Sequence, residues 1–514
     1  MMRPRWMHLF LALALSFVFV AAECELSKDD RQVLVDFFSS WAFDAMLSGS
    51  AGAKDVKNAL DVKDAYDRVT AAQNYDRAGT LREKGDKEGA LEALNEAIRL
   101  NPNAPPDYYR QRAELLEETG NHAAAVKDYD KALTAASGKF DPKDSYVTFL
   151  YQERARARNA SGDYQGAVDD LNYVIRNRGE DPQLLADRAA ARQNAGDTAG
   201  AKSDLNRAVA ADPNNPDILK QRAEINRALG NKQDAINDYD KAMQNVRGQT
   251  LKDAKKIDDL ATEKSRLQAD RGDYRAAAAS MDAARKAYED RKLAPPPGVD
   301  GYRGDLLSAA AAAARDPNEK AATRDQAIAA YTRASASDPR DPTLYLGQRA
   351  ALLNDKALET QNPTERNNLL GRAYQDATDA INARPGALMT DAKLARGDAQ
   401  YNANYLSGRP SASGYADAIK DYQNVIDGRP ADPQAEHAYR GMGDASFNRG
   451  ALTGSRADFE RARDGYQRAI LFNPNNPAYH DALAQTHDKL GEPEKAAAAR
   501  GRADQLRQQG RPPS

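Results

Sequence analysis

The chain of 514 residues has one cysteine, Cys24, so it can form no disulfide within itself and its fold must rest on apolar burial. Histidine is scarce as well: five residues, of which His122, His437, His480 and His487 follow the first 22 positions. His480 and His487 are seven apart and can share a helical face, but two ligands without a third or fourth make no zinc site. No metal or other cofactor is expected. The chain contains no glycine-rich phosphate loop and no dinucleotide fingerprint, and no histidine close in sequence to Cys24 that would activate a thiol. A non-catalytic protein is therefore expected. Excess basic charge is also missing: 73 Lys and Arg stand against 76 Asp and Glu, a net charge of −3. This balance argues against nucleic acid as a partner, whose binding surfaces are strongly basic. The longest apolar run, Leu9 to Val20, falls well short of the roughly 20 residues that a spanning helix requires.

What surrounds that run gives it a meaning. Arg3 and Arg5 precede it and Val20-Ala21-Ala22 follows it, with small side chains where a signal peptidase cuts. Residues 1–22 thus read as a secretory signal peptide cleaved after Ala22, and no stable membrane span is expected to remain. Cleavage takes away two arginines and no acid, leaving 71 basic against 76 acidic residues. The expected address is outside the cytoplasm, with the periplasm ahead of full secretion. Lipid attachment at Cys24 is disfavoured because Glu23 stands where a lipoprotein site needs a small residue.

The rest of the chain is dominated by a recurring phrase. Glycine, alanine at +5, a bulky residue at +9 and alanine or valine at +12 occur as Gly120/Ala125/Tyr129/Ala132, Gly162/Ala167/Leu171/Val174, Gly196/Ala201/Leu205/Ala208 and Gly230/Ala235/Tyr239/Ala242. The last three copies begin 34 residues apart, the period of a helix–turn–helix repeat that stacks into a solenoid. Small side chains let two antiparallel helices cross closely, which places Ala113 opposite Ala125 and Ala223 opposite Ala235. Gly162-Asp163 and Gly230-Asn231 end first helices and turn the chain. Prolines between units, as in Asp212-Pro213-Asn214-Asn215-Pro216 and Asn473-Pro474-Asn475-Asn476-Pro477, stop one helix and start the next.

These residues resemble the tetratricopeptide repeat family, with a small residue at the eighth position, alanine at the twentieth, an aromatic or leucine at the twenty-fourth, alanine at the twenty-seventh and proline at the thirty-second. Units centred on Ala90, Ala125, Ala167, Ala201, Ala235, Ala277, Ala327, Ala373, Ala418, Ala462 and Ala496 resemble eleven repeats. The resemblance implies an all-α superhelical solenoid of helical hairpins, of the type found in exported bacterial proteins. Intervals of 42 to 50 residues around Ala277, Ala327 and Ala373 imply longer helices or inserted loops there. A second recurrence pairs arginine with aspartate 16 residues later: Arg112/Asp128, Arg154/Asp170, Arg188/Asp204 and Arg222/Asp238. Its constancy favours an ion pair that fixes hairpin register over a charge ladder that reads a ligand, contributing about 0 to 1 kcal/mol per pair if exposed.

The expected organisation is a signal peptide at 1–22, an apolar helical cap at 23–70, a first array at 71–292, a Pro/Gly-rich linker at 293–304, a more degenerate array at 305–508 and a disordered tail at 509–514. The stretch 33–47, with Phe37, Phe38, Trp41 and Phe43, covers the open end of the first repeat, as a solenoid end requires, or docks a partner. Pro295-Pro296-Pro297-Gly298 marks the linker because three prolines favour extended backbone.

In the tetratricopeptide family the first helix of each hairpin lines the concave face, and the resemblance therefore nominates a ligand groove. The matching residues are Asp107, Arg110, Glu114 and Glu117; Phe149, Gln152, Glu153 and Arg156; Gln183, Asp187 and Gln193; and Asp217, Lys220, Glu224 and Arg227. The lysine and asparagine that some members use to clamp a terminal carboxylate are absent, since those places hold Arg110 with Glu114, Gln152 with Arg156, Ala186 with Ala190 and Lys220 with Glu224. A groove of mixed charges and amides suits an extended polar peptide, a basic one included, or a glycan. The leading expectation is a protein-interaction scaffold of the cell envelope whose partners are proteins or peptides. The alternative is a periplasmic component of a polysaccharide export or envelope assembly machine, for which exposed aromatic rings in the groove would argue; Phe149 is the one aromatic residue at the nominated positions.

Overall fold

The computed structural model describes residues 53–337, 343, 345–384, 389–428 and 432–509. The expected signal peptide, Cys24, the apolar stretch 33–47 and the end of the tail at 510–514 lie outside the described residues. Among the described residues there are 22 helices, packed as consecutive hairpins. Packing divides the chain into two compact units, Met1–Gly230 and Asn231–Ser514.

Unit 1 contains α1 (Ala53–Glu83), α2 (Lys87–Leu100), α3 (Pro106–Glu118), α4 (His122–Ala136), α5 (Ser145–Ser161), α6 (Tyr164–Arg178), α7 (Pro182–Asn194), α8 (Thr198–Ala211) and α9 (Pro216–Ala228). Unit 2 opens with α10 (Lys232–Asn245), α11 (Leu251–Ala269), α12 (Tyr274–Glu289), α13 (Pro297–Ala313), α14 (Pro317–Ser337) and α15 (Leu346–Glu359). It continues with α16 (Pro363–Ala383), α17 (Thr390–Tyr405), α18 (Ala412–Asp427), α19 (Asp432–Thr453), α20 (Arg456–Phe472), α21 (Pro477–Leu490) and α22 (Pro493–Gln509).

Local chemistry explains the boundaries. The chain leaves α5 through Gly162 at φ 93° and leaves α7 by way of Gly196 at φ 87°, left-handed conformations that glycine adopts without a Cβ penalty. The aspartate that follows caps the second helix: Asp163 accepts from the Gly166 N–H at 3.0 Å and Asp197 from the Gly200 N–H at 2.8 Å. Each cap satisfies a backbone donor that the helix start leaves free. First helices start on proline where the phrase places it, at Pro106, Pro182, Pro216 and Pro477, since its missing N–H costs nothing at that position.

The alanines sit where the helices touch. Ala113, Ala125, Ala167, Ala201, Ala277, Ala327 and Ala373 are completely buried, with larger side chains such as Leu150, Tyr129 and Leu205 filling the space between neighbouring hairpins. A fully buried leucine of this kind contributes about 1.5 to 3 kcal/mol. The wide intervals of the second half are absorbed by long helices, α14 and α16 having 21 residues each.

Two expectations change shape. Of the segment expected as a linker, 297–304 is helical: Pro296 precedes α13 and Pro297 occupies its first turn, because proline's fixed φ suits a helix start as well as an extended chain. α13 packs on both α12 and α14. Helix α1 is continuous across residue 70, where the expected cap ends, and forms the first hairpin with α2.

The arginine–aspartate recurrence is more than an exposed register pair. Arg188 grips Asp204 with Nε and Nη2 at 2.8 and 2.6 Å, and Arg112 and Arg154 hold Asp128 and Asp170 in the same two-pronged way. The aspartates are buried. The remaining nitrogen, Nη1, donates to the second helix of the preceding pair: Asn95 from Arg112, Asp130 from Arg154, Asn172 from Arg188 and Asn206 from Arg222. One guanidinium thus ties a hairpin together and ties it to its neighbour. In the fourth pair Arg222 belongs to unit 1 and Asp238 to unit 2.

Candidate functional site

First helices of successive hairpins lie against one another, α5 with α7 and α7 with α9, so their outward residues form one continuous face in unit 1. Along it the structure joins eight of the fifteen nominated residues into two clusters. In the first, Arg110 binds Asp107 at 2.8 Å and pairs with Glu114, which also accepts from Arg82 at 2.8 Å. Tyr146 donates to Asp107 at 3.1 Å, and Tyr129 to Glu117 at 2.8 Å. In the second, Arg156 donates to Glu153 at 2.8 Å and approaches Asp187 to 3.9 Å, while Gln183 donates to Asp187 at 2.8 Å.

Three acids of this face, Glu117, Glu153 and Asp187, have lost water without gaining enough cation. Burial pushes the Glu117, Glu153 and Asp187 carboxyls above the usual carboxylate range, despite Tyr129 on Glu117, Arg156 beside Glu153 and Gln183 on Asp187. Asp187 Oδ2 is buried with no hydrogen-bond donor among the described residues. Such carboxylates are stabilised by any cation that reaches them.

The other seven nominated residues stand outside these clusters. Gln152 accepts from Arg178 at 3.3 Å, which turns it toward the second helix of its own hairpin. Lys220 and Glu224 pair with each other at 3.3 Å. Phe149 is 37% exposed, and Gln193, Asp217 and Arg227 are exposed. The histidines His480 and His487 each have a partner of their own, the Pro474 carbonyl and the Glu492 carboxylate. Among the described residues there is no group of His, Cys, Asp and Glu able to hold a metal ion, and no helix long and apolar enough to cross a membrane.

Reading the sequence missed a recurring partnership. In hairpin after hairpin the tyrosine of the second helix donates its hydroxyl to an acid of the first helix: Tyr129 to Glu117, Tyr288 to Asp258 at 3.1 Å, Tyr331 to Asp305 at 2.8 Å, Tyr422 to Asp398 at 2.7 Å and Tyr466 to Asp444 at 2.9 Å. Burial raises the Asp258, Asp305 and Asp444 carboxyls as it does those of unit 1. For four of the five the signal was present as tyrosine, rather than leucine, at the twenty-fourth position; in the unit of Ala277 that place holds Met281 and Tyr288 lies seven residues beyond it. The partnership was hidden because the spacing between acid and tyrosine runs from 12 to 30 residues.

The tetratricopeptide repeat family model matches residues 58–140, 186–249 and 411–470. Small glutamine-rich tetratricopeptide repeat-containing protein 2 of Mycosarcoma maydis is 34% identical over 100 residues, 18% of this chain and 26% of that protein. A tetratricopeptide repeat and J domain-containing co-chaperone of Cryptococcus neoformans var. grubii is 31% identical over 111 residues, 22% of this chain and 20% of its own length. The chain therefore spans about a quarter of one curated relative and a fifth of the other. Among solved structures, the C-terminal part of a tetratricopeptide repeat-containing protein from Cytophaga hutchinsonii is 14% identical with a TM-score of 0.38, covering 55% of this chain and 98% of that one. The consecutive hairpins, the turn glycines and the stretches matched by the family model show an all-α tetratricopeptide repeat array.

Proposed function

We propose that the protein is a non-catalytic scaffold for protein–protein interaction, and that the first-helix face of unit 1 binds an extended basic polypeptide. The observation that carries this reading is the file of desolvated carboxylates at Glu117, Glu153 and Asp187, the last with a buried oxygen that has no hydrogen-bond donor among the described residues. A lysine or arginine chain laid along the face would supply cations to all three and gain charge-assisted hydrogen bonds in a partly dry setting. A polysaccharide is the weaker reading, since Phe149 is the one nominated residue that offers an exposed ring for a sugar to stack on.

The test is fluorescence anisotropy with a labelled peptide of alternating lysine and serine. Glu153→Gln with Asp187→Asn is expected to weaken binding about tenfold per charge, the factor that 1.4 kcal/mol represents. Because their protonation sits above the ordinary carboxylate range, lowering the pH from neutrality protonates these acids before ordinary ones and should weaken the unaltered protein early in the titration. Unchanged affinity in the double variant, or a flat response to acid, would remove the groove from consideration.

Export is proposed from residues 1–22, and the cell envelope is the proposed site of action. The expected result is an intact mass beginning at Glu23 in the fraction released from the envelope. Full-length protein confined to the cytoplasm would overturn it.

A further inference from the structure

Unit 2 contains a cavity of about 310 Å³ where α11, α12 and the start of α13 meet. Asp258 and Thr262 of α11 form one side of it, Met281 and Val299 supply buried apolar surface, and Tyr302 adds a half-buried ring. Its opening is framed by the exposed Arg266, which is paired with Glu263 at 2.6 Å.

The cavity is chemically lopsided. Asp258 is half-buried and accepts from the Tyr288 hydroxyl, a neutral donor. Among the described residues no lysine, arginine or histidine forms an ion pair with it, and the neighbouring charge that acts on it is a second acid, Asp259. A carboxylate at one end of an apolar and aromatic chamber is complementary to a side chain with a hydrocarbon stem and a cationic head. Such a guest buries its methylenes while its head meets the acid, and a flat guanidinium can in addition lie on a tyrosine ring.

We propose that this cavity is a socket for one arginine side chain of a partner polypeptide, with Asp258 as its charge partner and the Met281, Val299 and Tyr302 surfaces around its stem. The socket shares no residue with the face of unit 1 and does not depend on the reading given for that face. It makes unit 2 a point of attachment for a basic chain in its own right.

Two substitutions probe the socket without disturbing the fold. Asp258→Asn removes the charge and keeps an acceptor for Tyr288. Gly298→Leu fills the space, since a Cβ at Gly298 meets no atom within 4 Å, and leucine is a better helix former than glycine in the first turn of α13. The experiment is saturation-transfer NMR with acetyl-arginine amide on the full chain, in a Glu117→Gln/Glu153→Gln/Asp187→Asn background so that the three carboxylates proposed for the unit 1 face do not contribute. Transfer to the arginine methylenes is expected, weakened about tenfold in affinity by Asp258→Asn, as loss of a charged hydrogen bond predicts, and abolished by Gly298→Leu. Acetyl-citrulline amide, which keeps the shape and loses the charge, should give no transfer. The socket is refuted by absence of transfer from the arginine probe, by equal transfer from citrulline, or by equal transfer to both variants. Peptide binding to unit 1 can fail while this test succeeds, and the reverse.

Discussion

Asp204→Ala is expected to lower the unfolding free energy of unit 1 by about 3 to 5 kcal/mol in urea titrations, the range for removing one partner of a buried ion pair. Asp204 is 1% exposed and accepts from Arg188 twice and from Arg192 at 2.7 Å. Its removal leaves two guanidinium groups beside each other, of which Arg188, 8% exposed, keeps only Asn172 as a partner among the bonds described above. The double substitution Arg188→Met/Asp204→Leu should recover most of the loss, since well-packed apolar groups of similar volume do as well as a buried pair. Because Arg188 also binds Asn172 on α6, the damage belongs to the junction between α5–α6 and α7–α8. In a repeat array neighbours supply the coupling, so amide exchange should rise first in α7 and α8. A loss below 1 kcal/mol would mean that the pair behaves as an exposed one.

Tyr422→Ala is expected to cost unit 2 about 3 to 5 kcal/mol, the range for truncating a large buried ring. Tyr422 is 1% exposed. Its ring lies against Gly397 of α17 and Gly441 of α19, where an added Cβ would come within 3.1 and 2.5 Å of ring carbons. Two first helices thus pack on the ring of the second helix between them. Tyr422→Phe should cost much less, about 1 to 3 kcal/mol, because it removes a donor and no volume. The donor matters since, among the described residues, Asp398 would be left with His437, whose Nε2 lies 2.9 Å from its carboxylate. Thermal or urea unfolding of the two variants checks the order; equal losses for Ala and Phe would show that the hydroxyl, not the ring, holds the three helices together.

How much of this was legible depends on the range of the interaction. The hairpins were readable because their causes are local: a glycine that turns, an aspartate that caps three residues later, a proline that starts a helix and alanines at the crossing. The Arg188–Asp204 pair was readable as a pair because 16 residues separate its members in four copies. Its third bond, to Asn172 on the preceding hairpin, was not, because that place holds asparagine three times and aspartate once, and neither is unusual there. Pro297 illustrates a local rule with two outcomes, as the same fixed φ begins a helix or continues an extended chain.

The site was less legible than the fold. Position in the repeat identified which helix faces outward, and that nominated Glu117, Glu153 and Asp187 together with residues such as Gln152 that turn elsewhere. Whether a carboxylate is dry depends on what the next hairpin places over it, and hydrophobic pattern alone carries no such information. The tyrosine–acid partnership and the Asp258 cavity arise where helices of unequal length bring distant residues together. Periodicity and turn chemistry, which act within one hairpin, therefore determined that this chain is a stack of helical pairs. Desolvation and charge, which are summed over neighbouring hairpins, were decided only by the tertiary packing.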